Sequence, residues 1–120
     1  MTRRILIIDD EPRWLEFAQR DLVGRYEVAV AKDVAVALEK LRAADYDLVI
    51  ASTRRLDVVE KIRREYANKP IMVMTIRPTT QEATQVYGLG ATRYVSKSFG
   101  PSDLYRRVNE LFQIATAGLA

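Results

Sequence analysis

The sequence predicts a doubly wound α/β domain, in which helices cover both faces of a five-stranded parallel sheet. Five short apolar runs alternate along the chain with segments whose apolar residues recur at helical spacing. Each run is almost continuously apolar, as is typical of parallel strands that are buried on both faces. Alternating strands and helices with short connections indicate one sheet with right-handed crossovers.

Five strands and two helix starts can be read directly. The strands are predicted at 3–9, 26–31, 47–52, 70–75 and 91–96. Pro12 suits the first turn of a helix because its missing N–H has no helical partner there. Asp33 is expected to cap the second helix by accepting a hydrogen bond from a first-turn N–H. The residues expected to face the sheet are Trp14, Phe17, Ala18 and Leu22, then Val34, Ala37, Leu38 and Leu41.

The other three helices follow from apolar spacing and from Pro and Gly. The fourth is short, about 79–87, and Gly88 or Gly90 is expected to end it. The fifth is expected to begin at Pro101, with Asp103 in its first turn, and to be followed by a frayed tail at 115–120. The buried faces are expected to carry Leu56, Val59, Ile62 and Tyr66 in the third helix and Leu104, Val108, Leu111 and Phe112 in the fifth.

Composition excludes several classes of function. The 120 residues suit a single domain, and no apolar run approaches the roughly 18 residues of a membrane span. The start of the chain does not resemble a signal peptide, so we expect a cytoplasmic protein without membrane contact. There is no Cys and no His. Their absence excludes disulfides, thiol nucleophiles, Ser-His-Asp triads and the common zinc sites.

The net charge of +3 comes from one segment, 54–69. One interpretation of this segment is the solvated face of a helix, and the other is a patch that binds phosphate or an acidic partner. Its basic side chains are Arg54, Arg55, Lys61, Arg63, Arg64 and Lys69, against Asp57, Glu60 and Glu65.

Polar side chains stand at the ends of four predicted strands. They are Asp9 and Asp10, Ser52, Thr75 and Lys97. The carboxyl ends of parallel strands meet at one edge of the sheet, and ligands bind there where the strand order reverses. We therefore expect these side chains to form the functional site.

In order and spacing, four segments resemble the receiver domain of two-component response regulators, the CheY-like superfamily. The segments are Ile7-Ile8-Asp9-Asp10-Glu11-Pro12, Tyr46-Asp47-Leu48-Val49-Ile50, Pro70-Ile71-Met72-Val73-Met74-Thr75, and Gly90 through Phe99. The likeness covers essentially the whole chain, so residues 1–120 are expected to form one receiver domain. It implies a flavodoxin-like fold and a role in phosphorelay signal transduction.

The resemblance also implies roles for individual residues. In that family paired acids bind Mg²⁺, and an aspartate ending the third strand takes phosphate from the phosphohistidine of a sensor kinase. Asp9 and Asp10 match the acids, and Lys97 matches a lysine that pairs with the phosphoryl group. Thr75 matches a hydroxyl that turns towards that group, and Tyr94 matches an aromatic that then turns inward.

The acceptor position is occupied by Ser52. A carboxylate is already a nucleophile at neutral pH, whereas a hydroxyl needs a base to remove its proton. No histidine can do this, and Asp9 and Asp10 are poor bases while Lys97 holds them ionised. We therefore expect no phosphorylation at Ser52. With one carboxylate fewer, we expect Mg²⁺ to bind weakly or not at all.

The connection after Ser52 departs from the family in the same direction. Receivers usually have a loop with Pro and Gly here, and that loop supplies a backbone metal ligand. In this chain 52–57 passes almost directly into the third helix. Ser98 also replaces the proline that commonly follows the lysine, so a trans peptide bond is expected there.

Structural roles remain open for the same residues. Asp9 and Asp10 could cap the first helix and favour its positive end. Thr75 could be an ordinary strand-end hydroxyl, Tyr94 a half-buried strand aromatic, and Lys97 a charge partner that holds the acids apart.

The leading hypothesis is a degenerate receiver that regulates through protein contacts and is not an enzyme. Its partners would be signalling proteins, either a sensor kinase or an output partner, bound by the fourth helix, fifth strand and fifth helix. We expect a monomer or weak homodimer. An alternative is a nucleic-acid or polyanion module that uses Arg54, Arg55, Arg63 and Arg64. A third hypothesis is a phosphatase with Asp9 as nucleophile, although the chain has no Gly-rich phosphate loop.

Overall fold

A computed structural model describes residues 2–116 and confirms the predicted fold class. Its strands are β1 (Arg4–Ile8), β2 (Glu27–Ala31), β3 (Leu48–Ser52), β4 (Ile71–Thr75) and β5 (Arg93–Ser96). Its helices are α1 (Pro12–Leu22), α2 (Val34–Ala43), α3 (Leu56–Glu65), α4 (Thr80–Gly88) and α5 (Asp103–Thr116), and a single 3₁₀ turn, Thr53–Arg55, joins β3 to α3.

The five strands pair in parallel in the order β2-β1-β3-β4-β5. The order reverses between β1 and β3, where the chain passes from one half of the sheet to the other. The helices that follow these two strands therefore leave on opposite faces, and a cleft opens between them at the carboxyl edge. The predicted site residues lie along that edge.

Two apolar layers hold the sheet between the helices. Successive side chains of a strand point to opposite faces, so Ile5 and Ile7 pack towards α1 and α5, and Leu6 and Ile8 towards α2 and α3. The predicted buried residues of α1 are all buried. In α3, Val58 is buried as well as Val59 and Ile62.

The helix starts at Pro12 and Asp33 are confirmed. Pro12 lies in the first turn of α1, and Asp33 Oδ1 accepts a hydrogen bond from Val36 N at 2.9 Å. Tyr66, which was predicted to lie within the third helix, follows its last residue and is half buried.

The predicted start of α5 is wrong by two residues. The helix begins at Asp103 because Ser102 has a left-handed backbone conformation, with φ of 66°, which a helix does not accept. Asp21 of α1 binds this turn, with its carboxylate oxygens accepting from Ser102 N at 2.7 Å and Tyr105 N at 2.9 Å. At its other end α5 includes residues 115 and 116, contrary to the predicted tail, and 117–120 lie outside the described residues.

Strand β5 begins two residues later than predicted. The pairing with β4 nevertheless reaches back to Thr92, whose Oγ1 accepts from Ile71 N at 3.0 Å and whose N–H donates to Ile71 O at 2.7 Å. The peptide bonds of the described chain are all trans, including that between Lys97 and Ser98. Among residues 2–116, no helix combines the length and the apolarity that a bilayer crossing requires.

The side chain of Arg63 ties the end of α3 to the loop before β5. Its Nε and Nη2 donate to Gly90 O at 3.1 and 2.7 Å, and its Nη1 donates to the carbonyls of Tyr66 and Ala67 at 3.1 and 2.8 Å. Gly90 has φ of 106°, and a Cβ there would lie 2.9 Å from the Arg63 side chain. Burial lowers the pKa of Arg63 from its ordinary value. This contact fixes the loop that leads into β5.

Replacing Arg63 with Lys should lower the free energy of unfolding by about 1–3 kcal/mol, because an ammonium cannot reach three carbonyls at once. Urea unfolding followed by circular dichroism measures the change. The matched control is Arg64→Lys in the next position, since Arg64 makes only an exposed contact with Glu60. We expect a change within about 0.5 kcal/mol for the control. Equal effects of the two substitutions would contradict a structural role for Arg63.

Candidate functional site

The carboxyl edge of the sheet brings together residues from four strands. Asp9 follows β1, Ser52 ends β3, Thr75 ends β4 and Lys97 follows β5. The backbone N–H of Lys97 donates to Thr75 O at 2.6 Å, so sheet pairing continues past the last residue of β5 and places the lysine. The structure therefore assembles the predicted site residues along one edge.

Asp9 and Lys97 form a buried ion pair at the centre of the site. Lys97 Nζ lies 2.8 Å from Asp9 Oδ2, and the two side chains are 5% and 1% exposed. Asp9 Oδ1 accepts from the backbone N–H groups of Asp10 and Glu11 at 2.8 and 3.2 Å. Both carboxylate oxygens are thus bound within the protein. Asp9 is thus paired with Lys97 and also binds the turn that precedes α1, but it does not cap the helix, because the N-cap residue Glu11 has no side-chain capping hydrogen bond.

Asp10 has different partners from Asp9. Its Oδ2 accepts from Arg55 Nη2 at 3.3 Å, and its Oδ1 lies 3.7 Å from Arg54 Nη1. Arg55 Nη2 also donates to Lys32 O at 3.1 Å, which ties the loop after β2 to the 3₁₀ turn. Two arginines therefore surround the carboxylate that the resemblance assigns to a metal ion.

Sequence reasoning did not foresee these arginine contacts. The segment 54–69 was read as one surface, but its first two arginines precede α3 and fold back over the site. The available signal was the missing Pro and Gly after Ser52. The absence of Pro and Gly predicted a short connection, and the structure has one, the 3₁₀ turn. This turn brings the guanidinium groups of Arg54 and Arg55 to the edge of the sheet.

Ser52 lies at the bottom of the site. It is 2% exposed, and its Oγ has no hydrogen-bond partner within the described part of the chain. Arg55 Nε, three residues later, is also buried without a partner there. Buried polar groups are normally paired with a hydrogen-bond partner. An unpaired group at the end of β3 and another in the following turn therefore mark a place where water or a further group can bind.

Thr75 is turned towards the loop that follows its own strand. Its Oγ1 accepts from Arg77 N at 3.3 Å and donates to Arg77 O at 3.4 Å. Both distances are long for a hydroxyl, so the side chain can exchange these contacts at low free-energy cost.

Tyr94 is held against the start of α4. Its hydroxyl accepts from Thr79 N at 3.1 Å and donates to the carboxylate of Glu82, while its backbone N–H donates to the hydroxyl of Tyr87 at 3.1 Å. Burial of the phenol, followed by the Glu82 hydrogen bond, raises the pKa of Tyr94. Tyr94 is half buried, as the interpretation of a plain strand aromatic expected. Its hydrogen bonds also join β5 to α4.

The residues present are a poor fit for Mg²⁺. No group of three or more acidic or histidine side chains placed to hold a metal ion occurs within residues 2–116. Both oxygens of Asp9 are bound, and two guanidinium groups flank Asp10. Because Mg²⁺ requires several oxygen ligands in near-octahedral geometry, this arrangement does not supply its site.

The remaining basic side chains do not form a continuous free patch. Arg64 pairs with Glu60 at 2.8 Å, and Lys69 donates to Tyr46 O at 2.6 Å while lying 3.4 Å from Asp45. Asp47, which precedes β3 at the amino edge of the sheet, accepts from Arg4 N at 2.8 Å. The solvated-face interpretation is therefore incomplete, since several of these side chains hold structure together.

Comparison with known proteins agrees with this geometry. The family model described as the response regulator receiver domain matches residues 5–109. The alkaline phosphatase synthesis transcriptional regulatory protein PhoP of Bacillus subtilis is 30% identical over 94% of this chain and 50% of its own length. A sensor histidine kinase of Ectopseudomonas mendocina, TmoS, is 32% identical over 96% of this chain and 12% of its own length. The chain thus spans half or less of these relatives.

Solved structures show the same fold. A chemotaxis response regulator of Vibrio cholerae superposes with a TM-score of 0.83 at 24% identity, covering 92% of this chain and 98% of its own. A response regulator of Thermotoga maritima gives a TM-score of 0.85 at 21% identity, covering 94% and 99%. The family match over most of the chain, the strand order and the site at the carboxyl edge agree. The chain belongs to the family of response regulator receiver domains of two-component signalling.

Proposed function

We propose that this chain is a pseudo-receiver, a receiver domain that works without phosphorylation of Ser52. The observation that carries the proposal is the neutral, buried hydroxyl at the acceptor position, beside two carboxylates that are already bound by cations. Removing the hydroxyl proton requires a base, and among the described residues no carboxylate oxygen lies within hydrogen-bond distance of Ser52 Oγ. The pocket supports a regulatory role and not a catalytic one.

The same contacts weigh against the two other hypotheses. A phosphatase that uses Asp9 as nucleophile needs a free carboxylate oxygen, but both oxygens of Asp9 are bound. The polyanion module gains no support from the relatives, which are signalling proteins. Arg63 points to backbone carbonyls, so it is not free to bind phosphates.

We further propose that partners bind the face formed by α4, β5 and α5. Tyr87 of α4 is 48% exposed beside Tyr94 of β5, which supports an aromatic contact surface. A sensor kinase or an output protein is the proposed partner, with the domain itself a monomer or weak homodimer. We retain a cytoplasmic location, Mg²⁺ binding that is weak at most, and a single receiver domain over 1–120 as parts of this proposal.

Incubation with acetyl phosphate and Mg²⁺ should leave the mass of the wild-type protein unchanged, because the hydroxyl of Ser52 has no base. The Ser52→Asp variant should gain one phosphoryl group under the same conditions, since a carboxylate is already ionised. Intact-protein mass spectrometry measures both. A stable wild-type adduct that maps to Ser52 would refute the proposal.

Freeing Asp10 should strengthen Mg²⁺ binding. Arg55→Ala removes a guanidinium from Asp10, so we expect tighter Mg²⁺ binding than in the wild type, and tighter still when Ser52→Asp is added. The single tryptophan, Trp14, reports binding by fluorescence because its ring centroid lies 5.2 Å from Lys97 Nζ. Arg64→Ala is the matched control, since it removes the same charge away from Asp10. If both alanine variants bind Mg²⁺ equally, Arg55 does not protect the site.

Tyr94 should ionise above the ordinary tyrosine value of about 10. The folded-state pKa of Tyr94 is raised above the value in the unfolded chain. The contacts of its hydroxyl therefore stabilise the fold fully when the pH is below the unfolded-state pKa, and this stabilisation is lost as the pH rises through the folded-state pKa. The difference in phenolate absorbance between wild type and Tyr94→Phe isolates this group. Glu82→Gln should lower the pKa of Tyr94, because the carboxylate favours the neutral phenol. A pKa at or below the ordinary value would contradict the described contact.

A further inference from the structure

A separate pocket, here called the amino-edge pocket, opens at the edge of the sheet opposite Ser52. It has a volume of 570 Å³, within the range of about 300–1,000 Å³ that is usual for ligand pockets. It is formed by the end of α3 with the loop before β4, by the loop before β5 with the first residue of β5, and by the last two turns of α5. None of the residues at the carboxyl edge takes part in it.

One wall of the amino-edge pocket is apolar. Leu111 and Ile114 of α5 line it, together with Ala67 and Pro70 from the loop before β4. Leu111 belongs to the apolar layer beneath α5, whereas Ile114 is 37% exposed. Covering a partly exposed aliphatic side chain removes apolar surface from water, which is favourable. This wall therefore favours a ligand with an apolar body.

The cationic side chains of the pocket lack matching carboxylates. Arg63, Lys69 and Arg93 line it, and none of the described residues around it is acidic. Arg63 donates to backbone carbonyls, which are neutral, and Arg93 is exposed. Within residues 2–116, neither guanidinium has a carboxylate at ion-pair distance. An anion in the pocket would compensate both arginine charges.

Hydrogen bonds hold the walls of the pocket in place without a ligand. Arg63 ties α3 to the loop before β5 through a contact of 2.7 Å. Lys69 Nζ donates to Tyr46 O at 2.6 Å, and Thr92 Oγ1 accepts from Ile71 N at 3.0 Å. Because these walls are already ordered, a ligand that binds there loses little free energy in ordering them.

We propose that the amino-edge pocket reversibly binds an organic carboxylate, with its apolar body against Leu111 and Ile114 and its carboxylate beside Arg93. A guanidinium can donate two parallel hydrogen bonds to a carboxylate. A neutral apolar molecule would leave the arginine charges uncompensated, and a small inorganic anion would leave the α5 wall in water. The inference goes beyond the pseudo-receiver proposal and does not depend on the chemistry of Ser52.

The test is titration of the protein with cinnamate, followed by the backbone amide signals in ¹H–¹⁵N NMR spectra. We expect saturable shifts centred on Gly90, Thr92 and Arg93, which belong to the pocket wall. Cinnamyl alcohol, which has the same apolar body without the charge, should bind about two- to tenfold more weakly. Acetate, which has the charge without the apolar body, should give no saturable shifts there. Cinnamate shifts that do not saturate, or that spread evenly over the surface, would overturn the site.

Arg93→Gln tests the charge of the pocket. It removes the proposed partner of the carboxylate, so cinnamate binding should weaken about two- to fivefold. The matched control is Arg13→Gln, since Arg13 is exposed in the first turn of α1, at the carboxyl edge of the sheet. The control should bind cinnamate as the wild type does, and equal losses would indicate a nonspecific charge effect and overturn the site. Arg93 is exposed, so its replacement should not prevent folding.

Ile114→Glu tests the apolar wall. Binding should weaken about fivefold or more, because an apolar contact is replaced by a charge that repels the carboxylate. Gln113→Glu is the matched control, since it adds the same charge at an exposed neighbour about 100° further round the helix, outside the pocket lining. Solvent and salt screen this charge, so we expect a change of less than about twofold. Similar losses in both variants would contradict a ligand seated against Ile114.

Two further measurements exclude other occupants and other places. Ser52→Asp should bind cinnamate as tightly as the wild type, and weaker binding would place the ligand at the carboxyl edge and overturn the inference. The signals of Thr92 and Arg93 should not depend on protein concentration. If they shift with concentration alone and do not respond to cinnamate, the pocket is a contact between two copies of the chain and not a carboxylate site.

Discussion

The buried ion pair between Asp9 and Lys97 is the interaction on which the site depends. It joins the end of β1 to the residue after β5 at 2.8 Å, across the whole second half of the sheet. Removing one partner of such a pair leaves an uncompensated buried charge, which costs about 3–5 kcal/mol. Asp9 also accepts from two backbone N–H groups before α1. A residue pair assigned to phosphoryl chemistry by family resemblance therefore also holds the structure of the site together.

Charge balance at the site follows from this pair. Asp9 is paired with Lys97, and its neighbour Asp10 is approached by Arg54 and Arg55 from the 3₁₀ turn. A metal ion and two guanidinium groups would compete for the same carboxylate. The short connection after Ser52 thus has an electrostatic consequence, because it places two cations beside Asp10.

The sequence was sufficient for the fold and for the location of the site, because both depend on apolar periodicity and on which residues end the strands. The start of α5 was missed because it is set by a long-range contact, in which Asp21 binds the Ser102 turn. The arginine contacts of Asp10 were missed for a related reason. Arg54 and Arg55 look like helix surface in the sequence, and only the conformation of the turn after Ser52 directs them inward.

Thr75 and Tyr94 differ in how firmly their side chains are held. Thr75 is bound to its own loop by long contacts, whereas Tyr94 is held by Glu82 and Thr79 at the start of α4. In the family, movement of the hydroxyl and of the aromatic is linked to a phosphoryl group. If Ser52 is not phosphorylated, as we propose, any shift between conformations must come from a ligand or partner that binds one of them more tightly. Glu82 lines the pocket beside Ser52 and also binds Tyr94, so it joins that pocket to the surface formed by α4 and β5.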